Sequence, residues 1–243
     1  MFATDGSVTS QNVVGYQETS IAADLYYMIT AQFDATVGDG TGMAVKDLVK
    51  GNIPYGAEMQ VRLPAGGYDI YTYSEMAYDA SYTGDDINLM FVPGWADGGG
   101  NLATSKVAPG AAFWFKTDAE CDVVIFGSIL SEASKTVSVN AGIFSMIGNA
   151  YPADVNPNDV TWTGLTVGDE MQVRLPAGGY DIYSYSDMAY DSSYAGDDMS
   201  LMFVPGWADG GGNLVTDSIL KSGCGAWIKP AAAVSVTWES PIN

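Results

Sequence analysis

The sequence predicts an all-β protein of two tandem β-sandwich-like (or flattened-barrel) domains that arose by internal duplication. Three observations predict it. Glu58 to Thr104 and Glu170 to Thr216 are identical at 40 of 47 positions, at an offset of 112. Within each copy, apolar and polar residues alternate over short runs, the period of a half-buried strand. Those runs are punctuated by Pro-Gly, Gly-Gly and Asp-Gly, which close strands with tight turns.

The duplication sets the domain organisation. Outside the 47-residue block it is weaker. Ala-Phe-Trp-Phe-Lys ending at Lys116 matches Gly-Ala-Trp-Ile-Lys ending at Lys229, and Ile21, Leu25, Met28 and Phe33 match Val139, Ile143, Met146 and Tyr151 at an offset of 118. The difference between the offsets leaves extra residues in the first copy around Gly38 to Asn52, where DGTGMAVKDLVKGN predicts a short helix inserted in a loop. Residues 1–17 form a tail or an extra strand, 18–130 the first repeat, 131–134 the linker and 135–243 the second repeat. The strand-like NVVGYQ near the start could add to the sheet edge of a neighbouring molecule.

Within the repeat, Met59, Val61 and Leu63 alternate with Gln60 and Arg62 to give one apolar and one polar face. Pro-Ala-Gly-Gly then turns the chain. Tyr68, Ile70 and Thr72 alternate with Asp69, Tyr71 and Tyr73 on a strand aromatic on both sides. Leu89 to Val92 predicts a short apolar strand closed by Pro93-Gly94, followed by the glycine-rich turn WADGGGN. Phe113 to Lys116 and Cys121 to Phe126, joined by Thr-Asp-Ala-Glu, predict a hairpin.

Composition narrows function. Apolar residues make up 47% of the 243 and charged residues 16%, enough to build a core. Net charge is −20, from 29 acids against 9 bases. So acidic a surface repels phosphate backbones, which argues against nucleic-acid partners. There is no histidine, which removes Ser-His-Asp and Cys-His catalysis and the commonest general base. The only arginines, Arg62 and Arg174, stand at equivalent places in the two repeats. No cluster of bases or phosphate loop suits phosphoryl transfer. The two cysteines, Cys121 and Cys224, are not at equivalent positions, and spacing alone leaves free thiols and a disulfide both open. No apolar stretch approaches the ~20 residues of a spanning helix. Met1-Phe2-Ala3 resembles the remnant of a signal-peptide cleavage site, which points to a mature form that is secreted or held at the cell surface.

One constellation stands out in each repeat. AYDxSYxGDD and WADGGGN bring Asp79, Asp85, Asp86 and Asp97 near Tyr78, Tyr82 and Trp95, with Asp191, Asp197, Asp198, Asp209, Tyr190, Tyr194 and Trp207 as counterparts. With Tyr71, Tyr73, Tyr183 and Tyr185, the aromatics are expected to form matching interaction surfaces. The carboxylates would suit calcium, which takes several oxygen ligands, though the spacing is not that of an EF-hand. The plainer reading is that Asp and Gly make turns. Aromatics beside carboxylates also suit a sugar, whose C–H face stacks on a ring. Hydrolysis by paired carboxylates is disfavoured, because the acids of this constellation lie in turn-like segments and both copies hold the same set. Near-identity of the block, against diverged flanks, fits surfaces that meet equivalent partners, with recent duplication or gene conversion as the plainer account; docking of repeat one on repeat two could propagate head to tail into a filament.

NVVGY, MITAQF, MIGNAYPADVNPNDVTWTG, GDEMQV, GWADGGGN, the Phe-Trp-Phe-Lys and Ala-Trp-Ile-Lys strands and the closing VTWESPI resemble a family of secreted bacterial two-repeat proteins. The resemblance spans nearly the whole chain. It implies export and a β-rich fold, and it carries no catalytic residue to transfer. The expectation is an extracellular structural protein that is not an enzyme and associates with copies of itself. The alternative is a non-catalytic carbohydrate-binding or adhesive module with a polysaccharide partner.

Overall fold

The computed structural model describes residues 14–34, 41–175 and 178–241. Residues 1–13, with the cleavage-site remnant and the start of the NVVGYQ segment, lie outside them. So does part of the loop insertion.

The first repeat contains β1 (Val14–Ile21), β2 (Tyr27–Thr30), β3 (Met43–Ala44), α1 (Val45–Leu48), β4 (Lys50–Gly51), β5 (Glu58–Arg62), β6 (Tyr68–Tyr78), a 3₁₀ turn (Ile87–Met90), β7 (Phe91–Ala96), β8 (Lys106–Val107), β9 (Ala112–Lys116) and β10 (Cys121–Ser128). The second contains β11 (Ser134–Val139), β12 (Ser145–Gly148), β13 (Thr161–Thr163), β14 (Glu170–Arg174), β15 (Tyr180–Tyr190), a 3₁₀ turn (Met199–Met202), β16 (Phe203–Ala208), β17 (Gly225–Lys229) and β18 (Val234–Glu239). Each repeat is a sandwich with no closed barrel. A five-stranded antiparallel sheet, β2-β9-β5-β6-β7 or β12-β17-β14-β15-β16, faces a three-stranded one, β1-β10-β4 or β11-β18-β13.

Strand parity puts Met59, Tyr71, Trp95, Phe113 and Phe115 inside the first sandwich, against Ile21, Val123 and Ile125 of the smaller sheet. The second core repeats this with Met171, Trp207, Ala226 and Ile228 against Val139, Val236 and Trp238. The predicted inserted helix is α1, whose Val45 and Leu48 are buried in the first core.

Several sequence expectations shift. β1 pairs with β10 along its whole length, Val14 with Ser128 through Ile21 with Cys121. The first domain therefore begins by Val14, and this strand is the outer one of its own three-stranded sheet. The predicted hairpin is instead a corner: β9 belongs to the five-stranded sheet and β10 to the three-stranded one, so the chain crosses between layers through residues 117–120. Ile87 to Met90 form a 3₁₀ turn because the Asp86 carboxylate accepts the Asn88 N–H at 3.0 Å and caps it. The strand starts at Phe91 and runs through Pro93, which an outermost strand tolerates because no ladder bond is lost on its free side. Leu130 is a fully buried member of the second core, and Tyr151 Oη donates to the Glu132 carbonyl at 2.8 Å, so the connection is packed against repeat two. Both cysteines are free thiols.

The repeats meet about a pseudo-two-fold axis. The backbone bridges Ile29 to Cys224 and Ala111 to Ile147, and these are counterparts of each other. Thr30 N–H donates to Gly223 O at 2.9 Å, and Gly148 N–H to Gly110 O at 3.1 Å. Met28, Ala112, Trp114 and Met146 bury a small core between the repeats, with Tyr68 and Trp227 packed on it. Gln32 Nε2, fully buried, ties the joint by donating to Tyr151 O at 2.8 Å and Asn149 O at 3.2 Å. A two-fold contact uses the same patch on both partners and is thereby complete. The head-to-tail route to a filament through this patch is closed.

Candidate functional site

The structure divides the aromatics expected to form an interaction surface. Trp95 and Trp207 are 0% exposed, and Tyr71 is buried beside Trp95. These side chains are core, because their strand parity points them at the opposite sheet. Tyr73 lies half-buried with its ring 5.3 Å from Trp95, and Tyr185 sits 5.8 Å from Trp207. Tyr183 packs against the second core. Tyr78, Tyr82, Tyr190 and Tyr194 remain half-exposed at the far end of the β6–β7 and β15–β16 ribbons, with Tyr78 5.8 Å from Phe91 and Tyr190 5.9 Å from Phe203.

The aspartates build turns. Asp79 Oδ1 accepts the Ser81 N–H at 2.9 Å and its hydroxyl at 2.6 Å. Asp97 Oδ1 accepts the N–H groups of Gly99 and Asn101, both at 2.9 Å, with Gly100 at φ +80° closing the loop. Asp191, Asp198 and Asp209 repeat these roles with Ser193, Ser200 and the Gly211/Asn213 pair. The bonds hold Asp79, Asp97, Asp191, Asp198 and Asp209 below the ordinary aspartate range, because each stabilises the charged form. Asp79 and Asp97 do share a hollow of about 250 Å³, but Lys46 of α1 lines it too. Asp85 and Asp197 are exposed, on loops away from this hollow. Among the described residues no three acids or cysteines gather as a metal centre would need.

Two features went unread in the sequence. The first is an apolar tip on each repeat. Met76 (63% exposed), Ile87, Leu89 and Phe91 stand in solvent where the 3₁₀ turn feeds the outermost strand, and Met188, Met199 (73% exposed), Leu201 and Phe203 do so in the second copy. Leu89 to Val92 was expected as a short apolar strand; instead Leu89 and Met90 belong to the 3₁₀ turn capped by Asp86, and Leu89 and Phe91 stand exposed.

The second is a pair of clefts at the joint. One is an open groove of about 260 Å³ lined by Arg62 and Tyr68 of the first repeat with Phe144, Gln172 and Trp227 of the second. The other, an open groove of about 410 Å³, is lined by Arg174 and Tyr180 with Tyr26, Gln60 and Trp114. They are counterparts residue for residue, with Tyr26 in place of Phe144. The Arg62 guanidinium carbon lies 5.1 Å from the Tyr68 ring and 6.0 Å from Trp227, and that of Arg174 lies 5.7 Å from Trp114. Trp114 and Trp227 meet edge to face at 6.1 Å between the clefts. Lys116 over Tyr26 at 5.5 Å and Lys229 over Phe144 at 5.2 Å end the row. The signal for this site was the matched arginines, whose meaning needed the two-fold axis to become visible.

No protein-family model matches the chain, and no curated protein or solved structure is significantly similar to it. Among the described residues no helix is long and apolar enough to cross a membrane.

Proposed function

We propose that the chain is a bivalent, non-catalytic building block of an extracellular assembly whose copies meet through the apolar tip of each repeat. The observation that carries this reading is the duplicated exposure of Met76, Ile87, Leu89 and Phe91 with Met188, Met199, Leu201 and Phe203. Large side chains grouped in solvent mark interaction surfaces. The joint sits at the β2–β9 side of one five-stranded sheet and the β12–β17 side of the other, so β7 and β16 are the strands farthest from it. A tip that pairs with its own kind then leaves the second tip free, and addition continues. This replaces the closed head-to-tail route with an end-to-end one. The near-identical block supplies both tips, which explains why it stayed uniform while the flanks diverged.

A net charge of −20 opposes self-association at low ionic strength. Assembly is therefore expected to grow with salt, and millimolar calcium to favour it by screening the acidic loops. Sedimentation velocity in 0.1 M and 1 M NaCl, with negative-stain imaging, tests the reading. Species larger than one chain should appear, more at high salt, and Leu89→Asp with Leu201→Asp should return the monomer with an unchanged fold. A monomer at 1 M salt and high protein concentration refutes it. The alternative, a carbohydrate-binding module, rests on a different observation, the paired clefts.

A further inference from the structure

We propose that the twin clefts at the joint bind a neutral polysaccharide, one pyranose-sized segment in each. Their walls have the character of a small-ligand site, mostly aromatic with a few polar groups converging on the space. Tyr26 and Tyr180 flank one cleft with their faces partly in solvent, and Tyr68 and Phe144 flank the other. Such rings accept the C–H face of a sugar. The polar groups have capacity to spare. Arg62 donates Nε–H to Phe144 O at 3.2 Å and Nη1–H to Gly67 O at 3.3 Å, and a guanidinium has five N–H groups. Gln60 and Gln172 spend an amide N–H on Glu58 and Glu170 of their own strands, and each brings to its cleft an amide oxygen, an acceptor that suits a hydroxyl.

The arginines carry a further mark. With 29 acids in the chain, ion pairs should be easy to find, yet the ones among the described residues are Lys50–Asp47 and Lys221–Asp154. Arg62 instead faces two rings and two backbone carbonyls, and Arg174 faces the Trp114 ring. A guanidinium without a carboxylate partner keeps its donors free for hydroxyls. An acidic glycan would also satisfy it, but must approach a protein of net charge −20, and that long-range repulsion favours the uncharged ligand.

The two-fold axis adds a stoichiometric consequence. A polysaccharide has a direction, and a two-fold axis reverses any run that lies across it, so chains crossing the axis direction pass through the two clefts in opposite senses. Each molecule then binds two strands and cross-links them. This proposal stands apart from assembly through the tips, and either can fail without the other.

The test is calorimetric titration of the whole chain with cellohexaose, xylohexaose and mannohexaose, with hexagalacturonate as the charged control. At least one neutral oligomer should bind two per molecule, with a dissociation constant on the order of 0.1 mM, and hexagalacturonate at least ten-fold more weakly. Gln60→Ala with Gln172→Ala should weaken binding about ten-fold or more. Because that variant could loosen the joint, indole N–H resonances of the unmodified protein give a second readout. Those of Trp114 and Trp227 should move on titration, while those of buried Trp95 and Trp238 stay still. No saturation by any neutral oligomer at 10 mM overturns the proposal. So does binding that the glutamine variant leaves intact, preference for the charged oligomer, or shifts confined to the other tryptophans. A glutamine variant that changes the sedimenting species instead identifies a second copy as the occupant and also overturns it.

Discussion

At Gly148 the backbone approaches the first repeat so closely that a Cβ would lie 1.9 Å from Thr30 Oγ1. Thr30 is its counterpart across the axis and is itself fully buried. Gly148→Ala is therefore expected to destabilise the protein by about 1–3 kcal/mol, the usual cost of overpacking, read as a lowered melting temperature. Thr30→Gly in the same chain should restore most of the loss, because it removes the group that is struck. Titration also belongs to single residues. Asp79, Asp97, Asp191, Asp198 and Asp209 are held below the ordinary value of 3.8 by hydrogen bonds to the charged form. Their contribution is complete above 3.8 and is lost as pH falls through the lower folded values. Burial raises Tyr71, Tyr151 and Tyr183 above 10.0. Their contribution is complete below 10.0 and is lost as pH rises through the folded values. With no histidine, the melting temperature should be flat from about pH 5 to 9 and fall outside that range. A step near pH 6.5 would contradict this assignment.

Elements show which parts of the fold were legible and why. β5 and β6 were read correctly, because alternation with a turn between is a local signal. Which face of β6 is inward was not legible: Tyr68 and Tyr71 look alike in sequence, and only the opposing sheet decides that Tyr71 is buried and Tyr68 lines a cleft. The corner between β9 and β10 escaped for a related reason, since a four-residue connection serves a hairpin or a change of layer equally well. Trp95 and Trp207 lie in segments rich in Gly and Asp, which read as surface turns; their β-strand parity overrides that composition. For residues 1–17 the sequence left a tail and an extra strand both open; from Val14 the strand is what forms, and β1 (Val14 to Ile21) is one of three strands in its sheet. Deleting residues 1–21 should therefore unfold the first repeat by stripping β10 of its partner and Ile21 from the core. Calorimetry would show the loss as a large drop in unfolding enthalpy, with the second repeat's melting retained. An unaltered transition would mean that the smaller sheet stands without its first strand.

For the whole molecule the two-fold joint is the governing feature, because it decides what remains available to partners. It consumes the β2–β9 and β12–β17 edges, forms the clefts and leaves the apolar tips at opposite ends. If the repeats cooperate through it, each side must sense a change on the other. Trp114 and Trp227 meet edge to face at 6.1 Å, among the described residues the one ring pair formed by counterparts across the axis. Such a pair contributes about 0.5–1.5 kcal/mol beyond its burial. A double-mutant cycle with Trp114→Ala and Trp227→Ala should return coupling of that size, because either substitution alone already breaks the ring contact. The single variants should also weaken the cation–π approach of the opposite repeat's arginine, Arg174 over Trp114 and Arg62 over Trp227. The double variant should then separate one cooperative thermal transition into two, as each sandwich melts on its own core. Additive single effects and one undivided transition would mean that the backbone bridges at Ile29 and Ile147 hold the repeats together without the aromatic pair.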